Sequence, residues 1–346
     1  MDVLGSSVLT EDGIIDGYVC IEEGVVTSIE EGIPPQKPVA EGLVALPLVN
    51  AHTHCADAGL KVPLGLTIEE LVAPPNGLKH KYLRDIAEDE LVKNMIAYAS
   101  ESNRNGIGSF IDFREGGEKG CISLRRAFPE AIILGRPLSS EYDQDEISRI
   151  LKVADGIGLS SISDIDHRYI EKVADQTRES RKMFSIHASE KVREDIDFIL
   201  SLDPTFVVHM VEATDSDILK CAEAEIPIVV CVRSSRYFKK TPPLKRMLSC
   251  GSDIAMGTDN AMLCSPDMRS EASAFRDLLL SQGGPVEDVL NQMLIGGRKI
   301  LYPNKKIYVS AGMTADLTVF PFTGSPVDGV LTNREQVFRY KPKKEG

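Results

Sequence analysis

Two histidines stand two residues apart in the segment GLVALPLVNAHTH, where His52 and His54 follow an apolar run. Side chains two residues apart on a β-strand point to the same face. If the run is a strand, both imidazoles therefore lie side by side at its end. Imidazole nitrogens are common ligands of zinc and other divalent metals. The pair is either half of a metal site or two unrelated polar residues, and Asn50 just before it is expected to be a structural hydrogen-bonding residue.

Three further polar residues end other apolar runs: His187 in FSIHASE, His209 in FVVHMVE and Asp259 in AMGTDN. A single histidine at a strand end is more often a hydrogen-bonded structural residue than a ligand. The combination of four histidines and one carboxylate at the ends of four runs instead predicts a site for a divalent metal. Neutral imidazoles with one carboxylate suit zinc first, and iron, manganese and nickel remain open.

The elements that must position these residues are eight short apolar runs separated by amphipathic stretches. Continuous apolarity is typical of strands buried on both faces in a parallel sheet. Amphipathic periodicity predicts helices in EDELVKNMIAYASESN, DQDEISRILKVAD and DSDILKCAEAE, the last with Thr214 or Asp215 as its N-cap. The eight runs are LVALPLVNAH, GIGSFIDFR, AIILGRP, DGIGLSSIS, MFSIHAS, TFVVHMVE, IPIVVCVRS and DIAMGTDN.

Eight strand–helix units over residues 45–304 predict an α/β fold, a (β/α)8 TIM-like barrel. A doubly wound open sheet is the alternative, but no Gly-x-Gly-x-x-Gly follows any run. In a barrel the carboxyl ends of all strands meet at one face, so four of the six histidines would point at one mouth. Alternating patterns at both ends predict strands in DGYVCIEEGVVTSIEEG, MTADLTVFPF and GVLTNREQVFRY. Residues 1–44 plus 305–346 are therefore predicted to form one small β-sandwich domain.

The bulk composition excludes some classes of partner. The chain of 346 residues has a formal net charge of −13, whereas surfaces that bind nucleic acids or anionic membranes are basic. No apolar run reaches the roughly 18 residues of a membrane span, and the N-terminus shows no secretory signal. Seven scattered cysteines without a Cys-x-x-Cys pair indicate free thiols in a reducing compartment. We expect a cytoplasmic protein with a small-molecule partner, and a homo-oligomer is left open.

The motifs together resemble the amidohydrolase superfamily, in the branch of cytosine deaminase, adenosylhomocysteine deaminase and the triazine chlorohydrolases. The resemblance covers nearly the full chain. It rests on PLVNAHTH, HASE, VVHM, CVRSSRYF, MGTDNAMLCSPDMRSEASAF and the tail VSAGMTADLTVF. The sequence departs from the deaminases of this branch in having Ser234-Ser235 where they usually have Ser-Asn, and in lacking tryptophan.

The resemblance implies roles for the residues that match its motifs. Glu190, three residues after His187, matches a glutamate that shuttles protons, and His209 matches a histidine that orients the substrate. The fourth run, GIGLSSIS, has no lysine or glutamate to bridge two metals, which favours one metal. The ligands implied for it are His52, His54, His187 and Asp259.

The implied function is a metal-dependent hydrolase that deaminates a heterocyclic amine (nucleobase-, nucleoside- or pterin-like) by means of metal-activated water. Glu190, His209 and Asp259 would be its catalytic residues. One alternative is hydrolysis of a cyclic or acyl amide at the same site. A second is a barrel that binds a small molecule without catalysis.

Three arginines also end apolar runs: Arg114, Arg136 and Arg233. Guanidinium groups bind carboxylate or phosphate in a bidentate manner, so Arg114 and Arg136 are candidates to bind an anionic group of the substrate. Ion pairs with neighbouring acidic residues are the alternative, and Arg233 has a structural alternative as well. The long segment after the first run, residues 55–85, is expected to be a loop that acts as a lid or specificity element. His80 in this loop is a candidate substrate contact, and a solvated loop histidine is the alternative.

Overall fold

The chain forms two β-sheets, and a computed structural model describes residues 1–73 and 76–342 of it. The strands found there are numbered along the chain. The first five are β1 (Asp2–Leu4), β2 (Ser7–Thr10), β3 (Gly13–Glu22), β4 (Val25–Glu31) and β5 (Leu43–Ala45). The next nine are β6 (Leu48–His54), β7 (Ile107–Arg114), β8 (Ile132–Gly135), β9 (Gly156–Leu159), β10 (Met183–Ala188), β11 (Phe206–His209), β12 (Ile228–Val230), β13 (Ile254–Met256) and β14 (Asp259–Asn260). The last two are β15 (Leu317–Phe320) and β16 (Phe338–Tyr340).

Helices connect most of these strands. They are α1 (Ile68–Leu71), α2 (Leu78–Asp85), α3 (Glu88–Arg104), α4 (Gly117–Ala127), α5 (Gln144–Val153), α6 (His167–Glu179), α7 (Ile196–Ser201), α8 (Asp215–Glu223), α9 (Val232–Tyr237), α10 (Leu244–Ser249), α11 (Met268–Ser281), α12 (Val289–Leu301) and α13 (Pro326–Thr332). A short 3-10 helix spans Cys55–Asp57. Among the described residues, none of these helices has both the length and the apolarity needed to cross a membrane.

The larger sheet is the predicted barrel. All eight apolar runs are strands, and β6 to β13 lie side by side in chain order as parallel neighbours. After β13 the chain continues as β14, which pairs in parallel with β6 and so brings the last strand beside the first. Buried side chains such as Ile111, Leu134 and Val208 fill the interior. The predicted α/β fold class, a TIM-like barrel with a second sheet, is confirmed.

The three helices predicted from periodicity are α3, α5 and α8. The Asp143 carboxylate accepts hydrogen bonds from the first backbone N–H groups of α5. The start of α8 has a capping box, in which the Thr214 hydroxyl accepts from Asp217 N and the Asp217 carboxylate accepts from Thr214 N. These side chains satisfy N–H groups that have no partner within the helix, and Thr214 is the N-cap.

The smaller sheet combines strands from both ends of the chain, in the order β1-β3-β2-β5-β15-β16, with β4 paired to β3. The β3–β4 hairpin turns at Glu23 and Gly24, whose φ values of 49° and 76° suit a tight two-residue turn. The division into residues 1–44 plus 305–346 and residues 45–304 stays a prediction, and residues 343–346 lie outside the described part.

Two local predictions were wrong. The segment GVLTNREQVFRY is not all strand, because its first residues belong to α13, which has a proline in its first turn, a favoured position at a helix start. The segment 55–85 is not one irregular loop, because it contains the 3-10 helix, α1 and α2. Residues 74–75 of this segment lie outside the described part.

Candidate active site

The four histidines and the aspartate meet at the carboxyl ends of their strands. Register explains the convergence, since Ala188 of β10 lies beside His209 of β11, and Asp259 of β14 lies beside Thr53 of β6. Asn50 of β6 holds Thr258, the residue directly before β14. Its Nδ2 donates to Thr258 Oγ1 at 2.7 Å, and Thr258 N donates to Asn50 Oδ1 at 3.0 Å. Its predicted structural role is confirmed.

The imidazole rings form one compact group. The ring centre of His52 lies 4.9 Å from that of His54, 4.9 Å from that of His187 and 5.8 Å from that of His209. Asp259 Oδ1 lies 3.3 Å from His52 Nε2 and 3.6 Å from His54 Nε2. Side chains from four strands therefore share a space of a few ångströms.

The donor atoms fit a divalent cation. Two groups of residues each offer ligand atoms within 4.8 Å of one another, namely His52, His54 and His187, and His52, His209 and Asp259. Both ring nitrogens of His52 are buried and have no hydrogen-bond partner among the described residues, and neither has His209 Nδ1. Buried polar atoms are rarely left unpaired unless a ligand or ion accounts for them, and imidazole and carboxylate are typical zinc donors.

The backbone is strained at the same place. His209 and Asp259 have φ values of 80° and 58°, in the left-handed region that non-glycine residues rarely adopt. Met210 and Ser189 at neighbouring strand ends also have positive φ values. Such conformations cost on the order of 1–3 kcal/mol each and cluster at functional sites.

Burial and charge set the protonation of the cluster. Burial lowers the pKa of His52 to about 3, and burial beside the other histidines lowers the pKa of His187 well below its usual range. Burial alone would raise the pKa of Asp259, but the nearby histidines outweigh it and hold that pKa well below its usual range. His54 differs, because the Glu115 and Asp259 carboxylates outweigh its burial and raise its pKa. The neutral imidazoles of His52 and His187 and the ionised Asp259 carboxylate are the forms that bind a metal.

Glu190 lies beside this group. Its Oε2 is 3.7 Å from His209 Nε2. Burial is the main cause that raises the pKa of Glu190. A carboxyl group with a raised pKa keeps its proton closer to neutral pH, as a general acid requires.

The support behind Asp259 comes from the segment after β12. Ser234 Oγ donates to Asp259 Oδ2 at 2.5 Å. Glu271, fully buried on α11, accepts from Arg233 N at 3.2 Å and so holds the start of α9. The Ser-Ser pair at 234–235 thus supplies a hydroxyl that orients the Asp259 carboxylate.

A cavity of about 250 Å³ opens beside the histidines. Its other side is formed by residues that follow β6, β7, β8 and β9. Polar residues on that side include Lys79, His80, Glu115, Arg136, Ser160 and Asp164.

The predicted substrate residues divide into two sets. Arg136 and His80 line the cavity, and Arg136 Nη2 donates to Ser160 Oγ at 3.0 Å. Arg114 and Arg233 are not brought to it: Arg114 Nε donates to Gly120 O at 3.1 Å, and Arg233 Nη1 donates to Ser265 O at 3.1 Å.

The alternation of side chains along a strand explains why Arg114 and Arg136 point in opposite directions. Phe113 and Leu134 point into the barrel. Because strand side chains alternate, Arg114 directly after Phe113 points outward to α4, whereas Arg136 two residues after Leu134 points inward. His80 Nε2 donates to Val72 O at 3.0 Å, and burial lowers the pKa of His80 to about 4.

Sequence reasoning did not select Lys79 or Asn260. Both are buried at the cavity, and Lys79 Nζ donates to Asn260 Oδ1 at 3.2 Å. Asn260 directly follows Asp259, which is a usable signal. A lysine in an amphipathic helix ordinarily indicates an exposed side chain, so no local pattern points to Lys79.

Comparisons with known proteins agree with this geometry. The model of the amidohydrolase family matches residues 44–333. MJ0699 of Methanocaldococcus jannaschii is 34% identical, over 92% of this chain and 88% of its own length. The 5-methylthioadenosine/S-adenosylhomocysteine deaminase of Moorella thermoacetica is 25% identical, over 85% of this chain and 81% of its own length.

Among solved structures, an adenosine deaminase from Xanthomonas campestris with bound zinc superposes with a TM-score of 0.74. It is 16% identical, and the match covers 91% of this chain and 83% of that one. At that identity the likeness shows the fold alone. The family match over most of the chain carries the assignment: this chain belongs to the amidohydrolase family.

Proposed function

We propose that this amidohydrolase is a deaminase of a heterocyclic amine, nucleobase-, nucleoside- or pterin-like, which depends on one divalent metal, zinc by preference. The observation that carries the proposal is the convergence of four histidines and Asp259 on one point, with Glu190 Oε2 3.7 Å from His209 Nε2. The deaminase relative of Moorella thermoacetica supports the class of reaction.

The ligands proposed for the metal are His52, His54, His187 and Asp259. A divalent ion held by this set would activate a water for attack on an sp² carbon that bears nitrogen. The fourth-strand segment Gly156–Leu159 and the serines after it offer no carboxylate or lysine, which supports one ion instead of two.

The protein residues would move protons around that attack. Asp259, ionised and held by Ser234, would accept a proton from the attacking water. Glu190, whose pKa is raised by burial, would donate a proton to the ring nitrogen and later pass one to the leaving ammonia. His209, at the strand end beside Glu190, would stabilise the charge that develops on the substrate.

We propose that Arg136 binds the part of the substrate remote from the reacting carbon. Its guanidinium faces the cavity and donates to Ser160, whereas Arg114 is 3.7 Å from Glu115 and faces a helix. A planar donor group at a cavity wall suits an anionic or acceptor-rich group. His80 is a second candidate contact on the same side.

The test combines metal analysis of the purified protein with a screen for ammonia release from purines, pyrimidines, pterins and triazines. We expect about one divalent ion per chain and ammonia from at least one heterocyclic amine. Hydrolysis of a cyclic amide without ammonia would identify the alternative reaction. A protein that binds no divalent metal and stays inactive after metal addition would overturn the proposal.

A further inference from the structure

The histidines proposed as metal ligands differ in what holds their second ring nitrogen. His187 Nδ1 lies 2.8 Å from the carbonyl oxygen of Leu159. His54 Nδ1 lies 3.0 Å from the carbonyl oxygen of Phe113 and also 3.0 Å from Glu115 Oε1. His54 is thus in contact with a carboxylate on the side that faces away from Asp259.

Glu115 is itself held by a buried lysine. It follows the last residue of β7, and Lys79 reaches it from the first turn of α2, with Nζ 2.6 Å from Glu115 Oε1. The same Nζ lies 3.6 Å from Asp57 Oδ2 and donates to Asn260 Oδ1. Lys79 is 3% exposed and Glu115 is 7% exposed.

Charge balance explains why the two residues occur together. A buried carboxylate without a partner is strongly destabilising, by several kcal/mol. Lys79 lies between the Glu115 and Asp57 carboxylates and is the cation nearest to Glu115, with Arg114 Nη1 at 3.7 Å from the other Glu115 oxygen. These cations offset the negative charge that Glu115 places next to His54. A carboxylate anion can therefore persist at this position.

An ionised carboxylate at Nδ1 has a defined effect on a histidine ligand. The Phe113 carbonyl oxygen already accepts the Nδ1 proton of His54, which leaves the Nε2 lone pair free for a metal. A carboxylate next to the same Nδ1 would make the imidazole a better donor. Lys79 and Glu115 both line the cavity. The pair therefore links helix α2, which closes one side of the cavity, to a metal ligand.

We propose that Glu115, held by Lys79, is a positioning residue for His54 and sets the metal affinity of the site. This inference rests on the proposed function, because it presumes that His54 binds a metal. The competing view is that the pair only neutralises charge and stabilises the fold, with no effect on the metal.

The experiment measures Zn²⁺ affinity of the full chain by competition with a chromophoric chelator, together with the visible absorption spectrum of the Co²⁺ form. Glu115→Gln keeps the shape and removes the charge, so we expect roughly a 10- to 100-fold loss of affinity and an altered Co²⁺ spectrum. Lys79→Met should lose affinity in the same direction, and Lys79→Arg, which keeps the cation, should recover most of it.

Glu118→Gln is the matched control, because Glu118 lies three residues away in the first turn of α4, is half-exposed and ion-pairs with Arg149. Its metal affinity should equal that of the wild type. Circular dichroism and thermal unfolding of the metal-free proteins identify a misfolded variant. If Glu115→Gln does not fold, Glu115→Asp keeps the charge but shortens the reach to His54, and it should also weaken Zn²⁺ binding.

The outcomes separate the two proposals. If the wild type binds Zn²⁺ and folded Glu115→Gln binds it equally well with an unchanged Co²⁺ spectrum, the positioning role is refuted and the proposed function stands. If the wild type binds no divalent metal, the proposed function itself fails.

Discussion

The two sides of the cavity are built in different ways. The strand wall consists of His52, His54, His187, His209 and Asp259, which lie at the carboxyl ends of strands paired within the larger sheet. The helix-and-loop wall consists of Lys79, His80, Arg136, Ser160 and Asp164, which lie on α2 or in the connections after β8 and β9. Rigid strands suit the placement of ligand atoms, whereas connections vary more easily and suit substrate selection. We expect substitutions in the first wall to abolish chemistry and substitutions in the second to change substrate binding.

The largest effect is expected from His187→Ala in the strand wall. Loss of one ligand removes several kcal/mol of transition-state stabilisation, or about 10³-fold or more in kcat, and metal content should fall with it. Activity toward the amine found in the ammonia screen and the metal content of the variant check this. His167→Ala is the control, because His167 is exposed and stacks on Phe198. Full activity in metal-depleted His187→Ala would break the distinction between the walls.

Glu190→Gln should lower kcat by about 10²- to 10⁴-fold with the metal retained, because a proton donor is lost but no ligand. The pKa of Glu190 is raised by burial. The kcat of the wild type should therefore fall as pH rises through that pKa, because Glu190 loses the proton that it donates. In Glu190→Gln this decrease of kcat should be absent. A pH profile of kcat measures both. Glu69→Gln, at a cavity carboxylate that pairs with Lys191, should change kcat little. If Glu190→Gln keeps the decrease of kcat with rising pH that the wild type shows, a group other than Glu190 donates the proton.

Glu271 holds the segment that supports the strand wall, and its titration should make the free energy of unfolding depend on pH. Burial raises the pKa of Glu271 from 4.5 to about 7, with Arg233 opposing the shift and Asp259 adding to it. Between these values the folded protein binds more protons at Glu271 than the unfolded chain. The free energy of unfolding therefore falls as pH rises from 4.5 to 7, by at most about 3 kcal/mol from this group.

Denaturant unfolding from pH 5 to pH 8 checks this, and Glu271→Gln should show a smaller decline over the same range. Asp277→Asn, at an exposed position on the same helix, should keep the pH dependence of the wild type. Equal slopes for wild type and Glu271→Gln would show that Glu271 does not cause the decline.

The smallest effect is expected from Arg136→Met in the helix-and-loop wall. Loss of a charged hydrogen bond to substrate costs about 1.5–3 kcal/mol, so KM should rise about tenfold or more while kcat and metal content change little. Steady-state kinetics separates the two parameters. Arg149→Met removes an exposed arginine on α5 and should leave KM unchanged. A fall in kcat alone would place Arg136 in the chemistry and weaken the contrast between the walls.

The fold was largely predictable because the barrel strands lie in continuous apolar runs and helices such as α3, α5 and α8 have amphipathic periodicity, both of which are local properties. The same local patterns placed all five residues of the strand wall at run ends. The helix-and-loop wall was predicted less well. Arg136 and His80 were among its candidates, but Lys79 was not, and Arg114 faces a helix instead of the cavity.

The amino-acid sequence by itself determined the barrel, the strand-end positions of His52, His54, His187, His209 and Asp259, and the family. The metal, its number, the cytoplasmic location and the oligomeric state stay predictions. Only the tertiary structure decided that Lys79 is buried against Glu115 and that Glu115 reaches His54. The physical reason is that these contacts join α2 to the end of β7 across a long connection. Burial of such charges depends on partners distant in sequence, which no local periodicity encodes.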